Sequence, residues 1–288
     1  MKKSTRLRQR LQQKELLVAP GASAALLAKL VEEAGFEAVY ATGAGIANMQ
    51  FGIPDMGLAT MTEILETAKR INDATSLPVI ADMDNGYGNA LNTYRAATEF
   101  TKAGIACLQL EDQALPKRCG HFDGKSIISA EEMTGKIKAA KDAMSVDPDA
   151  MLIARTDAIA VSGLEEALRR GAMYMEAGAD ILFVEAPTSL EQMRAITATL
   201  KTLHVANMVE GGKTPLQPNS VMEDLGFSIV LYANAPLKAA IKGTRDLLQR
   251  LMRTGTSEHC KDLMISMKER NEITGLAAMN AKEQKYSC

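Results

Sequence analysis

The sequence predicts a single (β/α)8 barrel (TIM barrel), in which eight parallel strands, each followed by a helix, close into a cylinder. Eight short apolar runs alternate with amphipathic stretches as far as residue 234. The chain has 288 residues, which accommodates one barrel of about 250 residues and an extension. We therefore expect one barrel domain over residues 1–288, with a C-terminal helical extension over residues 237–288.

Each strand is predicted from an apolar run that is bounded by polar or turn-forming residues. Runs that are apolar nearly throughout are typical of parallel strands buried on both faces. The predicted strands cover residues 16–20, 38–42, 78–84, 107–112, 151–157, 180–186, 204–209 and 228–234.

The predicted helices lie between these strands, and several end in Ala-Gly, where glycine can take the left-handed conformation that ends a helix. Ser129, followed by Glu132, predicts a capping box. The expected helices cover residues 23–35, 61–74, 91–104, 130–144, 164–178 and 190–200, with a short crossover over 218–225. After the eighth strand we expect helical stretches over 237–252 and 257–276, which exceed what closing a barrel requires and should pack against a neighbouring subunit.

Composition excludes several functional classes. The chain is 47% hydrophobic and 24% charged with a net charge of -2, so neither nucleic acid nor a membrane surface is indicated as a partner. No apolar run approaches the roughly 18 residues of a membrane span. The four cysteines are scattered along the chain without the spacing of a disulfide framework, which predicts a cytoplasmic protein.

Polar side chains cluster at the ends of the predicted strands, where the active site of such a barrel is built. Carboxylates end four consecutive strands, the third to the sixth, which exceeds the polarity expected of strand ends alone. We interpret the set as one active site. Its members in strand order are Tyr40, Thr42, Gly43, Asp82, Asp84, Glu111, Asp112, Arg155, Asp157, Glu185, Asn207 and Glu210.

The acidic residues of the third and fourth strands suggest a metal site. Asp82 and Asp84 alternate along their strand, so both should point to the same side. Together with Glu111 they offer hard oxygen ligands suited to Mg²⁺ or Mn²⁺. The alternative is a carboxylate cluster that is neutralised by Arg155 and Lys117.

Arg155 has two interpretations of equal weight. Its planar guanidinium can hold a substrate carboxylate through two parallel hydrogen bonds. Alternatively, it forms a structural ion pair with Asp157 or Glu185.

The stretch LEDQALPKRCGH places Cys119 beside Lys117, Arg118 and His121. Neighbouring cations lower the pKa of a thiol, so both its forms are accessible near neutral pH. A thiol close to carboxylates suggests a proton donor and a metal that serve one reaction. Residues 116–124 would then form a lid over the substrate; the alternative is a polar surface loop that contains a cysteine.

A series of motifs resembles the isocitrate lyase/phosphoenolpyruvate mutase superfamily, and the match extends in order over residues 16–276. The motifs are YATGAGIA, GIPDMGLATMTE, ADMDNGYGN, LEDQ, PKRCGH, ARTDA, FVEAP and ANMVEGGKTP. The match is to the lyase branch, which contains methylisocitrate lyases, 2,3-dimethylmalate lyases and oxaloacetate hydrolases. The resemblance implies a barrel whose last helix is exchanged between subunits of a homotetramer.

The resemblance also implies individual roles. Asp82 would bind Mg²⁺ directly, Asp84 and Glu111 would hold metal-bound waters, and Asp55 would lie close by. Cys119 would be the proton donor, and Arg155 and Glu185 would line the pocket. Arg270 would reach into a neighbouring subunit's site, and Lys238 replaces an arginine of methylisocitrate lyases. Together with these two residues, the implied substrate contacts are Thr42, Gly43, Ala44, Gly120, His121 and Asn207.

These roles imply a Mg²⁺-dependent carbon–carbon lyase that acts on a 2-hydroxy di- or tricarboxylate. The GGKTP motif is similar to dimethylmalate lyases and oxaloacetate hydrolases, but Ala233 stands where the latter carry a serine. We therefore expect cleavage of 2,3-dimethylmalate to pyruvate and propionate, with Tyr40 or a carboxylate-bound water as the base. Methylisocitrate lyase and oxaloacetate hydrolase remain alternatives. A phosphonate mutase or hydrolase is less favoured, because phosphoryl migration needs no thiol acid in the PKRCGH motif.

Overall fold

The computed structural model describes residues 1–117 and 124–287. Eight parallel strands form a closed barrel in chain order, and β1 pairs with β8 to complete it. The predicted (β/α)8 architecture is confirmed. The strands are β1 Leu17–Ala22, β2 Val39–Ala41, β3 Val79–Asp82, β4 Cys107–Glu111, β5 Met151–Thr156, β6 Ile181–Val184, β7 Leu203–Asn207 and β8 Ile229–Tyr232.

Helices connect these strands, and all the crossover helices expected from the sequence are present. Three further helices, α1, α3 and α7, were not predicted. The α-helices are α1 Lys3–Gln12, α2 Ala25–Glu33, α3 Gly43–Phe51, α4 Met61–Ala74, α5 Ala90–Lys102, α6 Ala130–Ala143, α7 Ala158–Ser162, α8 Leu164–Glu176, α9 Leu190–Thr199, α10 Asn219–Asp224, α11 Ala235–Thr254, α12 Met267–Thr274 and α13 Leu276–Tyr286.

Helix starts follow ordinary capping chemistry. The Thr60 hydroxyl accepts the Glu63 N–H and the Glu63 carboxylate accepts the Thr60 N–H, a complete capping box at α4. At α6, Ser129 Oγ accepts the Glu132 N–H at 3.1 Å, which is the first half of the capping box expected there. Each such bond satisfies an N–H that has no partner inside the helix.

The barrel interior is filled by side chains from its strands, including Leu17, Ile80 and Phe183. Leu7 and Leu11 of α1 are fully or almost fully buried and belong to the same apolar cluster. The helix thus closes the end of the barrel at which the strands begin. The sequence did not indicate this helix, because basic residues dominate the segment and only two apolar side chains of α1 face the interior.

The chain divides into two compact units, one over residues 1–235 and one from Pro236 onwards. The second unit contains α11 to α13 and a 3-10 helix over Ser257–Leu263. The expected helical stretch over 257–276 is therefore interrupted. Ser266 and Glu269 form a capping box that starts α12, and Gly275 in the left-handed conformation (φ 77°) ends it. Within the described ranges, no helix is both long enough and apolar enough to cross a membrane.

Candidate active site

A cavity opens at the end of the barrel where the strands finish, as the sequence predicts. Apart from Lys117, Val209, Ala233 and Asn234, each lining residue was predicted as a site residue. The lining residues are Tyr40, Thr42, Ala44, Asp55, Asp82, Glu111, Lys117, Arg155, Glu185, Asn207, Val209, Ala233 and Asn234. They come from loops and strands distributed around the whole barrel.

The α3 helix begins at the edge of this cavity. Thr42 Oγ1 accepts the Gly45 N–H at 3.3 Å and lies 3.5 Å from Asn234 Oδ1, to which it donates. A β-carbon on Gly43 would lie only 2.9 Å from Asp82 Oδ2 and 3.3 Å from Asp84 Oδ1, so the acidic residues approach here because residue 43 lacks a side chain. The first N–H groups of a helix lack intrahelical partners and favour anions.

The two aspartates converge by a different route from the one predicted. Strand β3 ends at Asp82, and Asp84 takes a left-handed conformation with φ 47°, so simple alternation along a strand is the wrong reason. Asp82 Oδ1 accepts the Asp84 N–H at 3.1 Å and Gln109 Nε2 at 3.3 Å. These two bonds fix the plane of the Asp82 carboxylate and bring the Asp84 backbone against it.

Lys117 places its ammonium between two of the predicted acidic residues. Its Nζ lies 2.5 Å from Asp55 Oδ1 and 2.6 Å from Asp84 Oδ1, and only 3% of its side chain is exposed. Burial raises the pKa of Asp84 to about 6, although Lys117 opposes the shift. Burial disfavours the Lys117 ammonium, but Asp84, Glu111 and Asp55 outweigh that effect and raise the lysine pKa well above its usual value.

Arg155 forms ion pairs with Asp157 and Glu185, as the second of its two interpretations from the sequence expects. Its Nε lies 2.9 Å from Asp157 Oδ2 and its Nη2 3.2 Å from Asp157 Oδ1. Longer contacts join Nη2 to Glu185 Oε2 at 3.3 Å and Nε to Glu111 Oε2 at 3.4 Å. These contacts use Nε and Nη2, and within residues 1–117 and 124–287 none involves Nη1. The other interpretation, binding of a substrate carboxylate, would use that nitrogen.

The oxygen donors of the cavity can serve a divalent cation. In the described part of the chain, no three or more His, Cys, Asp or Glu side chains are gathered closely enough to hold a metal together. Glu111 Oε1 is nevertheless buried without a hydrogen-bond partner there, and burial raises the pKa of Glu111 well above normal against the pull of Arg155. Buried, unsatisfied carboxylate oxygen is costly. These donors are carboxylate oxygens, which Mg²⁺ and Mn²⁺ prefer as ligands, so their chemistry fits a divalent cation.

Tyr40 and Asn207 present contrasting polar atoms to the cavity. Burial, reinforced by Asp82, raises the pKa of Tyr40 well above 10, so its phenol keeps its proton at neutral pH and can donate a hydrogen bond. Asn207 ends β7, and its Oδ1 is buried without a hydrogen-bond partner among the described residues. Such an atom is available to a bound ligand.

Five predicted site residues do not belong to the described part of the first unit, in which the cavity lies. Cys119, Gly120 and His121 lie outside the described residues. Lys238 lies on α11 and Arg270 on α12, both in the second unit.

Asp112, which also ends a predicted strand, has a structural role. It accepts hydrogen bonds from Thr156 Oγ1 at 2.7 Å, Tyr174 Oη at 2.8 Å and Arg170 Nη1 at 3.0 Å. Its carboxylate therefore ties β4 to β5 and α8.

Gln109 and Asn234 are polar residues of the site that sequence-based prediction missed. Gln109 lies in β4, is fully buried and bonds Asp82. A glutamine inside an otherwise apolar strand was the available signal for its role. Asn234 follows β8 and lies 192 positions from its partner Thr42, so no local pattern indicates the contact.

Comparison with known proteins identifies relatives over nearly the whole chain. The sequence profile of phosphoenolpyruvate phosphomutase matches residues 7–252. A 2,3-dimethylmalate lyase of Eubacterium barkeri is 46% identical over 287 residues, which covers 100% of this chain and 99% of the relative. A 2-methylisocitrate lyase of Shewanella oneidensis is 40% identical, over 97% of this chain and 94% of the relative.

Solved structures agree with the sequence relatives. A crystal structure of 2,3-dimethylmalate lyase superposes with a TM-score of 0.94 at 33% identity, covering 100% of this chain and 96% of that one. Oxaloacetate acetylhydrolase bound to 3,3-difluorooxalacetate gives 0.93 at 34% identity, with 98% and 96% covered. Phosphonopyruvate hydrolase bound to oxalate and Mg²⁺ gives 0.90 at 32% identity, with 99% of each chain covered.

Proposed function

The chain belongs to the phosphoenolpyruvate mutase/isocitrate lyase superfamily, and on that premise we propose that it is a carbon–carbon lyase that cleaves 2,3-dimethylmalate to pyruvate and propionate. The observation that carries this proposal is the 46% identity with a 2,3-dimethylmalate lyase along both full chains. The cavity supports it, because its polar lining suits a small dicarboxylate.

Substrate binding is assigned to polar groups of residues that line the cavity or adjoin its lining. The Nη1 of Arg155 would bind one carboxylate, and the N–H groups of Gly43 and Ala44 at the start of α3 would bind the other oxygens of the hydroxy acid end. The Tyr40 phenol would donate to the same region. The predicted contacts of Lys238, Arg270, Gly120 and His121 remain part of the proposal from the sequence.

The chemistry requires one proton to leave oxygen and one to reach carbon. A base removes the hydroxyl proton, the bond between C2 and C3 breaks to form pyruvate, and the electron pair passes to the carbon next to the propionate carboxylate. Because the pKa of Tyr40 is raised well above 10, a carboxylate or a water held by one is the better base. Cys119 then protonates the carbanionic product, the role that its motif implies.

A divalent cation, Mg²⁺ or Mn²⁺, would supply positive charge that stabilises the dianionic product carboxylate. Asp82 would hold it directly, with Asp84 and Glu111 acting through water and Asp55 nearby. The support is the chemistry of the donors, the unsatisfied Glu111 Oε1 and the Mg²⁺ present in the related phosphonopyruvate hydrolase structure.

Two alternative substrates are favoured by specific relatives. The 2-methylisocitrate lyase, at 40% identity, suggests a tricarboxylate, and oxaloacetate acetylhydrolase, with a TM-score of 0.93, suggests oxaloacetate. Ala233 lines the cavity, and its methyl group cannot donate the hydrogen bond of the serine expected in oxaloacetate hydrolases. This residue favours the dimethylmalate assignment.

The test is a comparison of substrates. Purified protein with Mg²⁺ is incubated with 2,3-dimethylmalate, 2-methylisocitrate, oxaloacetate and phosphonopyruvate, and kcat/KM is measured from pyruvate or oxalate release. We expect the highest value for 2,3-dimethylmalate. Ala233→Ser is the matched control, and it should raise activity towards oxaloacetate. If 2,3-dimethylmalate is not cleaved while another acid is, the substrate assignment is wrong.

We also propose that the protein is a cytoplasmic homotetramer. Large apolar side chains of the second unit are exposed in the single chain, among them Leu248, Met252 and Met267. Exposed apolar surface of this kind is unfavourable in water. We propose that a second copy of this chain covers it, as the predicted exchange of the last helix between subunits implies. The unpaired thiols of Cys107 and Cys260 are consistent with a reducing compartment.

A further inference from the structure

Lys125 has a buried side chain that contacts the same carboxylate as Arg155 of the candidate active site. It lies in a segment that pairs with residues 112–114: the Ala114 N–H donates to Ser126 O, and the Ile128 N–H to Asp112 O, both at 2.9 Å. Only 1% of the Lys125 side chain is exposed. A lysine buried to this extent needs a counter-charge.

That counter-charge is Asp157, which Lys125 shares with Arg155. Lys125 Nζ lies 2.6 Å from Asp157 Oδ1, while Arg155 donates to both oxygens of the same carboxylate. The Asp157 side chain has no exposed surface, and its N–H donates to Asp112 Oδ1 at 3.0 Å. One fixed carboxylate therefore bridges two buried cations.

The arrangement determines what Arg155 can offer to a ligand. Three carboxylates surround its guanidinium, those of Asp157, Glu111 and Glu185. With Arg155 as the sole cation, this group would carry an excess of negative charge, which repels an anionic substrate. Lys125 supplies a second positive charge to this group, and it contacts the same Asp157 carboxylate that Nε and Nη2 of Arg155 contact.

We propose that Lys125 is a positioning residue: acting through Asp157, it orients Arg155 and keeps the pocket receptive to a substrate carboxylate. The inference rests on the proposed function in so far as the ligand of Arg155 is a carboxylate. Lys125 itself touches no reacting atom. Its contribution should therefore appear in binding of the carboxylate more than in the chemical step.

The experiment compares wild type, Lys125→Met and Lys125→Arg. For each we would measure the Kd of oxalate with Mg²⁺ by calorimetry, and kcat and KM for the best 2-hydroxy acid. Lys125→Met should raise Kd and KM by about 10-fold or more with a smaller fall in kcat, as expected for lost binding energy. Lys125→Arg keeps the charge and should stay within about 3-fold of wild type.

A control removes an ion pair of the same length, but more exposed, at the opposite end of the barrel. Lys141 Nζ lies 2.6 Å from Asp180 Oδ2, just before β6 begins. Lys141→Met should leave oxalate binding unchanged. If it weakens oxalate binding as much as Lys125→Met does, the effect is general destabilisation and the proposal is wrong.

A double-mutant cycle tests the route through Asp157 and does not depend on the single variant being well folded. In an Asp157→Asn background, the carboxylate that Lys125 and Arg155 share is absent, so Lys125→Met should change oxalate Kd by less than about 3-fold. An equal loss in both backgrounds, or wild-type oxalate affinity in Lys125→Met, would overturn the proposal. Failure of the proposed function is distinguishable, because it would appear as no carbon–carbon cleavage by wild type, whatever the oxalate affinity.

Discussion

The Lys117 ammonium lies 2.6 Å from Asp84 Oδ1, with the lysine side chain almost completely buried. The sequence offered two interpretations of the acidic cluster, a metal site or a cluster neutralised by basic residues, and this contact shows that the second arrangement is formed. The two are not exclusive. A cation bound nearby would share Asp84 with the lysine, so metal binding and the position of Lys117 should be coupled.

This coupling can be tested with Lys117→Met. Breaking a buried ion pair lowers the free energy of unfolding by roughly 3–5 kcal/mol, because the partner charge remains buried. We expect a large loss of thermal stability in EDTA and a greater recovery on adding Mg²⁺ than wild type shows. Lys69→Met, which removes an exposed pair with Asp73, is the control and should change little. An equal gain of stability from Mg²⁺ in wild type and Lys117→Met would contradict the coupling.

Asp82→Asn tests the direct metal ligand. The asparagine Oδ1 can still accept from the Asp84 N–H and Gln109 Nε2, so folding should be preserved. Because an amide binds Mg²⁺ poorly compared with a carboxylate, we expect kcat/KM to fall by about 10²-fold or more. EDTA should abolish wild-type activity, and Mg²⁺ or Mn²⁺ should restore it. Full turnover by exhaustively chelated protein would exclude the metal assignment.

Cys119→Ala tests the proton donor inferred from the sequence. Loss of a general acid typically lowers kcat by about 10²–10⁴-fold, and metal and product binding should persist. Cys119→Ser should recover little, since a hydroxyl is a much weaker acid than a thiol. Cys260→Ala, which removes a free thiol of the described residues, should retain wild-type kcat. Near-wild-type turnover by Cys119→Ala on the best substrate would show that the proposed mechanism is wrong.

Assembly can be tested at the exposed apolar side chains of the second unit. We expect a tetramer by light scattering at micromolar concentration. Met252→Asp, at a position 87% exposed in the single chain, should shift the assembly to smaller species.

Arg270→Met should reduce activity without changing the mass of the assembly, if Arg270 completes a neighbouring site. A fully active monomer would contradict both expectations.

His204 predicts a pH dependence of stability that is separate from the active site. Burial lowers its pKa, although the bond from Nε2 to the Leu200 carbonyl opposes this shift. A histidine with a lowered folded pKa stabilises the protein above its unfolded pKa of about 6.5, and this contribution is lost as pH falls towards the folded pKa. His204→Gln can keep a donor to Leu200 but cannot become charged. Urea unfolding at pH 7.5 and 5.5 should show a smaller loss of stability for this variant; an identical loss would exclude the assignment.

The sequence by itself determined the barrel and the end of it that carries the chemistry. Strands buried on both faces must be apolar throughout, so β1 to β8 stand out, and strand ends such as Asp82, Glu111 and Asn207 must face one common cavity. The α3 helix was not predicted because glycines lie in its first turn, and α7 was not predicted because it has only five residues.

Only the tertiary structure decided which buried charged side chains form ion pairs with each other. Lys117 pairs with Asp55 across 62 positions and Lys125 with Asp157 across 32, and Asp84 joins Asp82 through a left-handed turn that strand periodicity does not describe. Local sequence patterns encode burial and backbone preference over a few residues. The pairing of buried charges instead depends on loop paths and side-chain directions, which are settled only when the barrel closes and water is removed from the site.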